Sequence, residues 1–460
     1  MFFRQLIDAD LGCASYVIAD AGEAVVVDPA IAIDQYLDLA CRHGFGIVHV
    51  VETHTHADHV SGNRRLAELT GAQIHVSSGA LPGFASRPLR PGDSLSVGSA
   101  VLTVRATPGH RPEHLSLVLS DRSRADAPLA LLSGDALLVG EVGRPDLAAD
   151  PGVGARALYA ALRGLDDLGD AVEIWPGHIG GSLCGGADLS QKPSSTLGYE
   201  RRANRFLAIA DEDEFVAGLV AALPPRPPQV ERVVELNLAA ALPALAEPPL
   251  LGTAELAQLI AAGGVVVDVR SPDSFDAGHL AGAVNLPLAA GSIGTRAGWL
   301  VASDRPLAVY GERAEDARRA YWLLAAVGLF GVRGIAPGAS QAWRTAGLQV
   351  RVGEAIDPIA TARAYAAGEI AILDVRDADE YERIAIPGSD RRSLWQLADW
   401  QPGGGLPVAV VCASGTRAAI AASALRSRLP QPVLRLDGAV ADVVAALVRE
   451  PLASGPTPLL

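Results

Sequence analysis

The sequence predicts an α/β multidomain chain, and three observations carry that reading. First, 460 residues with 49% hydrophobic and 20% charged side chains leave room for about three cores of ordinary size. Second, the proline-rich stretches LPPRPPQ at 223–229 and LPALAEPP at 242–249 disfavour helix and sheet, and so mark a boundary. Third, the C-terminal half repeats itself: VVVDVRSPDSFDAGHLAGAVNLPL at 265–288 has a weaker echo in AILDVRDADEYERIAIPGSDRRSL at 371–394. The two DVR triplets start at Asp268 and Asp374. Each copy continues into another apolar run, LAVY or PVAVV, then a tight loop and an amphipathic helix, the pattern of parallel-sheet units. The domains expected are 1–245, 250–350 and 355–460.

The first domain holds the densest chemistry. Directly after the apolar run IVHVV come His54, His56, Asp58 and His59, three of the ten histidines and a carboxylate within six positions. A strand ending this way brings several metal donors to one sheet edge. His110 closes LTVRATPGH, Asp135 follows LALLSG and His178 follows VEIWPG. Small turn residues beside them let the backbone bend so that the side chains share a centre. Each residue alone has an ordinary explanation as a turn or a structural histidine. The set in the order HxHxDH, H, D, H points to a metal.

The second copy of the repeat carries a nucleophile. After PVAVV it reads Cys412, Ala413, Ser414, Gly415, Thr416, Arg417 and then enters a helix. A thiol at a helix N-terminus meets backbone N–H groups and the positive end of the dipole, and Arg417 adds a cation. The alternative is a buried Cys in a βα turn. In the first copy Gly311 takes the same position, with Glu312 and Glu315 nearby, so no nucleophile remains. That domain reads as a spacer or packing surface, and its Asp268, Arg270 and His279 as structural.

The ligand order resembles the metallo-β-lactamase fold over roughly the first 240 residues, which implies an αββα sandwich. AVVVDPA at 24–30, ATPGH at 106–110 and GDALLVGEVGRPDL at 134–147 look like the persulfide dioxygenases of that superfamily. GHIGGSLCG followed by LSQKPSSTLGYERRAN, at 177–204, is similar to their bacterial subgroup fused to rhodanese domains, and the DVR and GHLAGAVNLP pattern resembles two rhodanese-like domains. The resemblance implies one Fe(II) per chain on His54, His110 and Asp135, with zinc as the alternative. It implies that Arg144 helps hold the substrate and that Cys184 has a functional counterpart in the fusion subgroup. His56, Asp58, His59 and His178 remain for a second metal or for supporting the first. The activity implied is oxidation of a low-molecular-weight persulfide, of glutathione, coenzyme A or a similar thiol, by O₂ to sulfite. Cys412 then transfers sulfane sulfur to sulfite, giving thiosulfate. A binuclear zinc thioester hydrolase of the glyoxalase II type is the main alternative. A non-enzymatic sulfur-relay protein with a vestigial metal domain is the other.

The net charge of −14 argues against nucleic acid or an anionic membrane surface as partner. No apolar run approaches the roughly 18 residues a membrane span needs, and MFFRQLIDADLG lacks a signal-like core, so a cytoplasmic protein is expected. Four scattered cysteines, 13, 41, 184 and 412, form no disulfide framework, and free thiols are expected. A homo-oligomer is expected, its order unread.

Overall fold

The computed structural model describes residues 1–449 except 149, 181, 183, 185–188, 224, 225, 227 and 337. Parts of the GHIGGSLCG and LPPRPPQ stretches, and the last eleven residues of the final domain, lie outside that set. The chain divides into two compact units, Met1–Ala244 with Ala325–Gly328, and the rest from Leu245 onward.

The first unit is the αββα sandwich. One sheet runs Phe2–Asp8, Cys13–Asp20, Glu23–Val27, Gly46–Val51, Gln73–Ser77, Arg87–Leu89 in spatial order. The other runs Ser195–Thr196, Glu173–Pro176, Ala130–Gly134, Leu115–Asp121, Ala100–Ala106, Ser94–Val97. Between them Ile18, Val27, Val51, Leu102, Leu117 and Leu132 form a dry core. These strands are buried on both faces, so they read as apolar runs instead of alternating patterns. The outer face of the first sheet, Val17, Val26 and Val50, is covered by Tyr36 and Leu39 of helix Asp34–His43 and Leu66 of helix Asn63–Thr70. The second sheet presents Val118, Leu131 and Ile174 to Leu158 and Leu162 of helix Pro151–Arg163 and to Phe215 and Leu219 of helix Glu212–Ala221. Pro151 opens the first of these, capped by Asp150, whose carboxylate accepts from Gly152 and Val153 N–H.

In the second unit both copies of the repeat form parallel sheets. One has the order Val284–Asn285, Val265–Asp268, Leu307–Tyr310, Val332–Ile335; the other Glu354–Ile356, Val433–Leu436, Val408–Val411, Ala371–Asp374, Asp390–Arg391. The DVR triplets do the same work twice. Arg270 Nε bonds Asp268 Oδ1 at 3.0 Å and its Nη2 reaches Gly278 O at 2.8 Å, and Arg376 Nε bonds Asp374 Oδ1 at 3.0 Å with Nη2 on Ile384 O at 2.6 Å. Both copies of the repeat fall within one compact unit. Helix Thr416–Arg426, expected to be amphipathic, is instead buried along Ala418–Leu425. Its small residues let it sit against its own sheet and the first copy alike, where Ser423 Oγ accepts from Asn285 N–H at 2.8 Å. Asp276 of the first copy bonds Arg426 and Arg435 of the second at 2.6 and 2.8 Å. Among the described residues no helix is long and apolar enough to cross a membrane.

Candidate metal centre

Every anticipated donor sits just past a strand end of the sandwich. His54 follows Gly46–Val51 of the first sheet. His110, Asp135 and His178 follow Ala100–Ala106, Ala130–Gly134 and Glu173–Pro176 of the second. Two glycines make the close approaches possible. Gly134 has φ +51°, and a Cβ there would lie 2.6 Å from His114 Nε2, the group that accepts Asp135 N–H at 2.9 Å. Gly12 has φ +70°, and a Cβ would lie 3.0 Å from Ile179 O and Ser182 N. Its neighbour Cys13 thereby forms a bridge with His178.

The six-residue loop, a single cluster in sequence, is split three ways in space. His54 joins His110 and Asp135, all buried. Asp58 and His59 join His178 and Cys13. His56 shares its donor group with Asp28 and Glu52, although its ring packs against His59 with centroids 4.3 Å apart.

In the first group each imidazole has one nitrogen committed. Thr53 Oγ1 donates to Asp28 Oδ2 at 2.8 Å and so accepts from His54 Nδ1 at 2.9 Å. His110 Nδ1 donates to Arg144 O at 2.9 Å. Asp135 Oδ1 accepts from His178 Nδ1 at 2.7 Å. These partners fix the tautomers and leave His54 Nε2, His110 Nε2 and Asp135 Oδ2 facing one another. All three atoms are buried with no hydrogen-bond partner. Orphaned lone pairs of this kind are costly in a dry interior unless a cation takes them. Asp135 Oδ2 lies 3.3 Å from His110 Nε2 and 3.8 Å from His54 Nε2. Donors bound at roughly 2.1 Å to a common ion stand about 3 to 4 Å apart. Burial holds His54 and His110 below the usual imidazole pKa, hence neutral, as ligands must be. Burial pushes the Asp135 carboxyl up, but His178 and His110 outweigh it and hold it well below the carboxylate range. The donor set fits a metal ion.

In the second group most donor atoms contact one another, and Asp58 Oδ1 is left buried without a partner. Cys13 Sγ lies 3.2 Å from Asp58 Oδ2, 3.4 Å from His59 Nδ1 and 3.2 Å from His178 Nε2, and Asp58 Oδ2 accepts from His178 Nε2 at 2.9 Å. Burial first, then the Asp58 charge, keeps the Cys13 thiol well above its ordinary pKa, hence protonated. For His178, burial lowers the pKa, but Asp135 and its other acidic neighbours hold it well above the imidazole range. Cys184 is buried beside His178 and Asp135, its pKa pushed up to about 12 by burial. Arg144 is buried too. Its guanidinium bonds Asp146 at 2.7 and 2.8 Å, and its backbone N–H meets Cys184 O at 3.3 Å.

Sequence reasoning gave no place in the site to Cys13, whose role it left open, or to Asp28, Thr53 and Asn237. Asn237 Nδ2 donates to His56 O and His59 O at 2.9 and 2.8 Å, pinning the loop from helix Val230–Leu238 between the two proline-rich stretches. Asp28 stands within the motif AVVVDPA, which could have flagged it; the others carry no local signal.

In the second unit Cys412 is fully buried, and its Sγ accepts Ala418 N–H at 3.3 Å. Arg417 forks onto both oxygens of Glu380 at 2.6 Å and reaches Asp377 at 3.4 Å, so the cation has carboxylate partners of its own. Gly311 follows Tyr310, which pairs with Asp268, as Cys412 follows Val411, which pairs with Asp374. The two positions are structurally equivalent.

Residues 8–178 match the metallo-beta-lactamase superfamily model, and 252–346 and 359–446 each match the rhodanese-like domain. The mitochondrial persulfide dioxygenase ETHE1 of Bos taurus is 29% identical over 241 residues, 52% of this chain and 88% of its own. The Homo sapiens protein of that name has the same identity and coverage. A hydroxyacylglutathione hydrolase of Polaromonas sp. is 35% identical over 171 residues, 36% of this chain and 61% of its own. The crystal structure of a metallo-beta-lactamase from Staphylococcus aureus subsp. aureus COL superposes with a TM-score of 0.65 at 31% identity, covering 73% of this chain and 98% of that one. With the sandwich, the strand-end donors and these likenesses together, the chain belongs to the metallo-β-lactamase superfamily and carries two rhodanese-like domains C-terminal to that fold in sequence.

Proposed function

We propose that the chain oxidises a low-molecular-weight thiol persulfide with O₂ and passes sulfane sulfur through Cys412 to the sulfite produced. The observation that carries the first half is the convergence of His54 Nε2, His110 Nε2 and Asp135 Oδ2, buried and unpartnered. Two imidazoles and a carboxylate are the ligand set of non-haem iron oxygenases, and Fe(II) held there would supply open positions for oxygen and sulfur. The balance is RSSH + O₂ + H₂O → RSH + SO₃²⁻ + 2H⁺. The likeness to persulfide dioxygenases and the rhodanese-like domains support this place in sulfur metabolism.

The residues act by position. Arg144 O and Thr53 Oγ1 orient the two imidazoles, and His178 orients Asp135. Arg144, whose backbone O holds His110, and Cys184, beside Asp135, are the residues proposed to meet the substrate. At Cys412, the thiolate first takes the outer sulfur of a second thiol persulfide, breaking its S–S bond and releasing the thiol, and the sulfur lone pair of sulfite then attacks the outer sulfur of the Cys412 persulfide. A new S–S bond forms, the bond to Sγ breaks, and the thiolate leaves toward Ala418 N–H.

The thioester-hydrolase reading needs a second ion on Asp58, His59 and His178. Of those groups' atoms, Asp58 Oδ2, His59 Nδ1 and His178 Nε2 already contact one another or Cys13, and Asp58 Oδ1 is the one left unpartnered, which favours the single-ion reading.

Metal analysis of the purified protein, joined to oxygen uptake on adding glutathione persulfide, tests the proposal. One iron per chain and persulfide-dependent uptake are expected. Two zincs per chain with hydrolysis of a glutathione thioester would overturn it. Cys412→Ser should leave uptake intact while the product shifts from thiosulfate to sulfite, after subtraction of the protein-free reaction between sulfite and persulfide.

A further inference from the structure

His54 and His56 stand two residues apart with ring centroids 4.3 Å from one another, and only His54 faces His110 and Asp135. The His56 ring is buried and also packs against His59, with centroids 4.3 Å apart. Beside the ring lies a small cavity of about 20 Å³, lined in part by His54, His56, Asn63, Phe84 and Asn237. His56 Nδ1 is buried and has no hydrogen-bond partner. Its other nitrogen meets two carboxylates. Nε2 lies 3.2 Å from Asp28 Oδ1 and 3.0 Å from Glu52 Oε2, inside a pocket where all three side chains are buried.

Both carboxylates are themselves pinned. Glu52 Oε1 accepts from Ser61 Oγ at 2.6 Å. Asp28 Oδ1 accepts from Thr53 N–H at 2.7 Å and Oδ2 from Thr53 Oγ1 at 2.8 Å, while Asp28 N–H donates to Val51 O at 2.9 Å. Asp28 also carries φ +49°, in the left-handed region a non-glycine residue rarely enters. Strain of this kind persists where the surroundings over-determine a residue, and it concentrates at functional sites. One carboxylate thus does two things: through Thr53 it aims His54 at the centre, and directly it takes His56 from it.

We infer that Asp28 and Glu52 are positioning residues that hold His56 out of the metal's ligand set, so that the centre keeps three protein donors and open positions. The inference rests on the reading of His54, His110 and Asp135 as ligands. It is independent of which ion or reaction the centre serves.

The test uses the full chain loaded with Co(II), read by visible absorption and by binding titration. His56→Ala should leave the Co(II) spectrum and the stoichiometry of one ion per chain unchanged. Asp28→Asn combined with Glu52→Gln should free the ring to bind, shifting the Co(II) bands and tightening binding tenfold or more. Adding His56→Ala to that pair should cancel both changes, which separates release of His56 from any disturbance of Thr53 and His54. A Co(II) spectrum altered by His56→Ala alone would overturn the inference, since His56 would already be a ligand. So would a folded Asp28→Asn/Glu52→Gln protein with wild-type spectrum and affinity. Should the pair not fold, Glu52→Gln alone is read the same way, and the His56→Ala arm stands without it. A protein that binds no Co(II) at all would sink the ligand-set reading instead.

Discussion

Two groups of buried donors lie side by side in the sandwich, joined by His178. By residue type both are metal sites: His54, His110 and Asp135 on one side, Cys13, Asp58, His59 and His178 on the other. They differ in what their lone pairs are doing. The first group points three unpartnered atoms at one centre, while the second has its contacting atoms bonded to one another at 2.9–3.4 Å. In a dry interior an unmet lone pair costs on the order of 1–3 kcal/mol, so the first group, with three such atoms converging, calls for a cation more strongly than the second, which leaves Asp58 Oδ1 unmet. Unmet demand, more than composition, distinguishes a centre from its neighbour.

The comparison can be broken most sharply at the first group. His54→Ala, His110→Ala or Asp135→Ala should each lower bound metal from one per chain to under roughly a tenth and reduce oxygen uptake on the order of a thousandfold, because too few donors remain. Metal analysis and an oxygen electrode on the same preparation check this. His178→Ala touches both groups and should be intermediate. The ion stays, but Asp135 loses its orienting partner, and a titration should show affinity weakened about 10–100-fold.

Cys184→Ser should keep full metal and lower persulfide turnover, or raise the concentration needed, by several fold. Unchanged kinetics would make Cys184 a packing residue only. The smallest effect belongs to the second group. Cys13→Ala should leave metal content unchanged and cost about 1–2 kcal/mol of stability, seen as a lower midpoint in denaturant. If it emptied the centre as His54→Ala does, the two groups would be one site and the distinction would fall.

Much of the framework was legible along the chain. His54, His110, Asp135 and His178 each follow an apolar run, and each run is a buried strand, because a strand's end and a polar turn are local features. The repeat was legible for the same reason, since the Asp–Arg bond spans only two residues in each copy. The helix after Cys412 was not. Its burial along Ala418–Leu425 depends on Asn285 and its neighbours more than a hundred residues away.

The sequence by itself determined which residue types gather at the strand ends, that the C-terminal half is built twice, and that only the second copy keeps a thiol. Tertiary structure alone decided how the donors are shared out. Neighbours in a turn can point anywhere, and their directions are settled by distant partners: Asp28 for His56, Cys13 for Asp58 and His59, and Asn237 for the backbone that carries them. Hydrogen bonds between residues so far apart in the chain leave no trace in local spacing. The six-residue cluster therefore announces a metal without saying which of its members hold it.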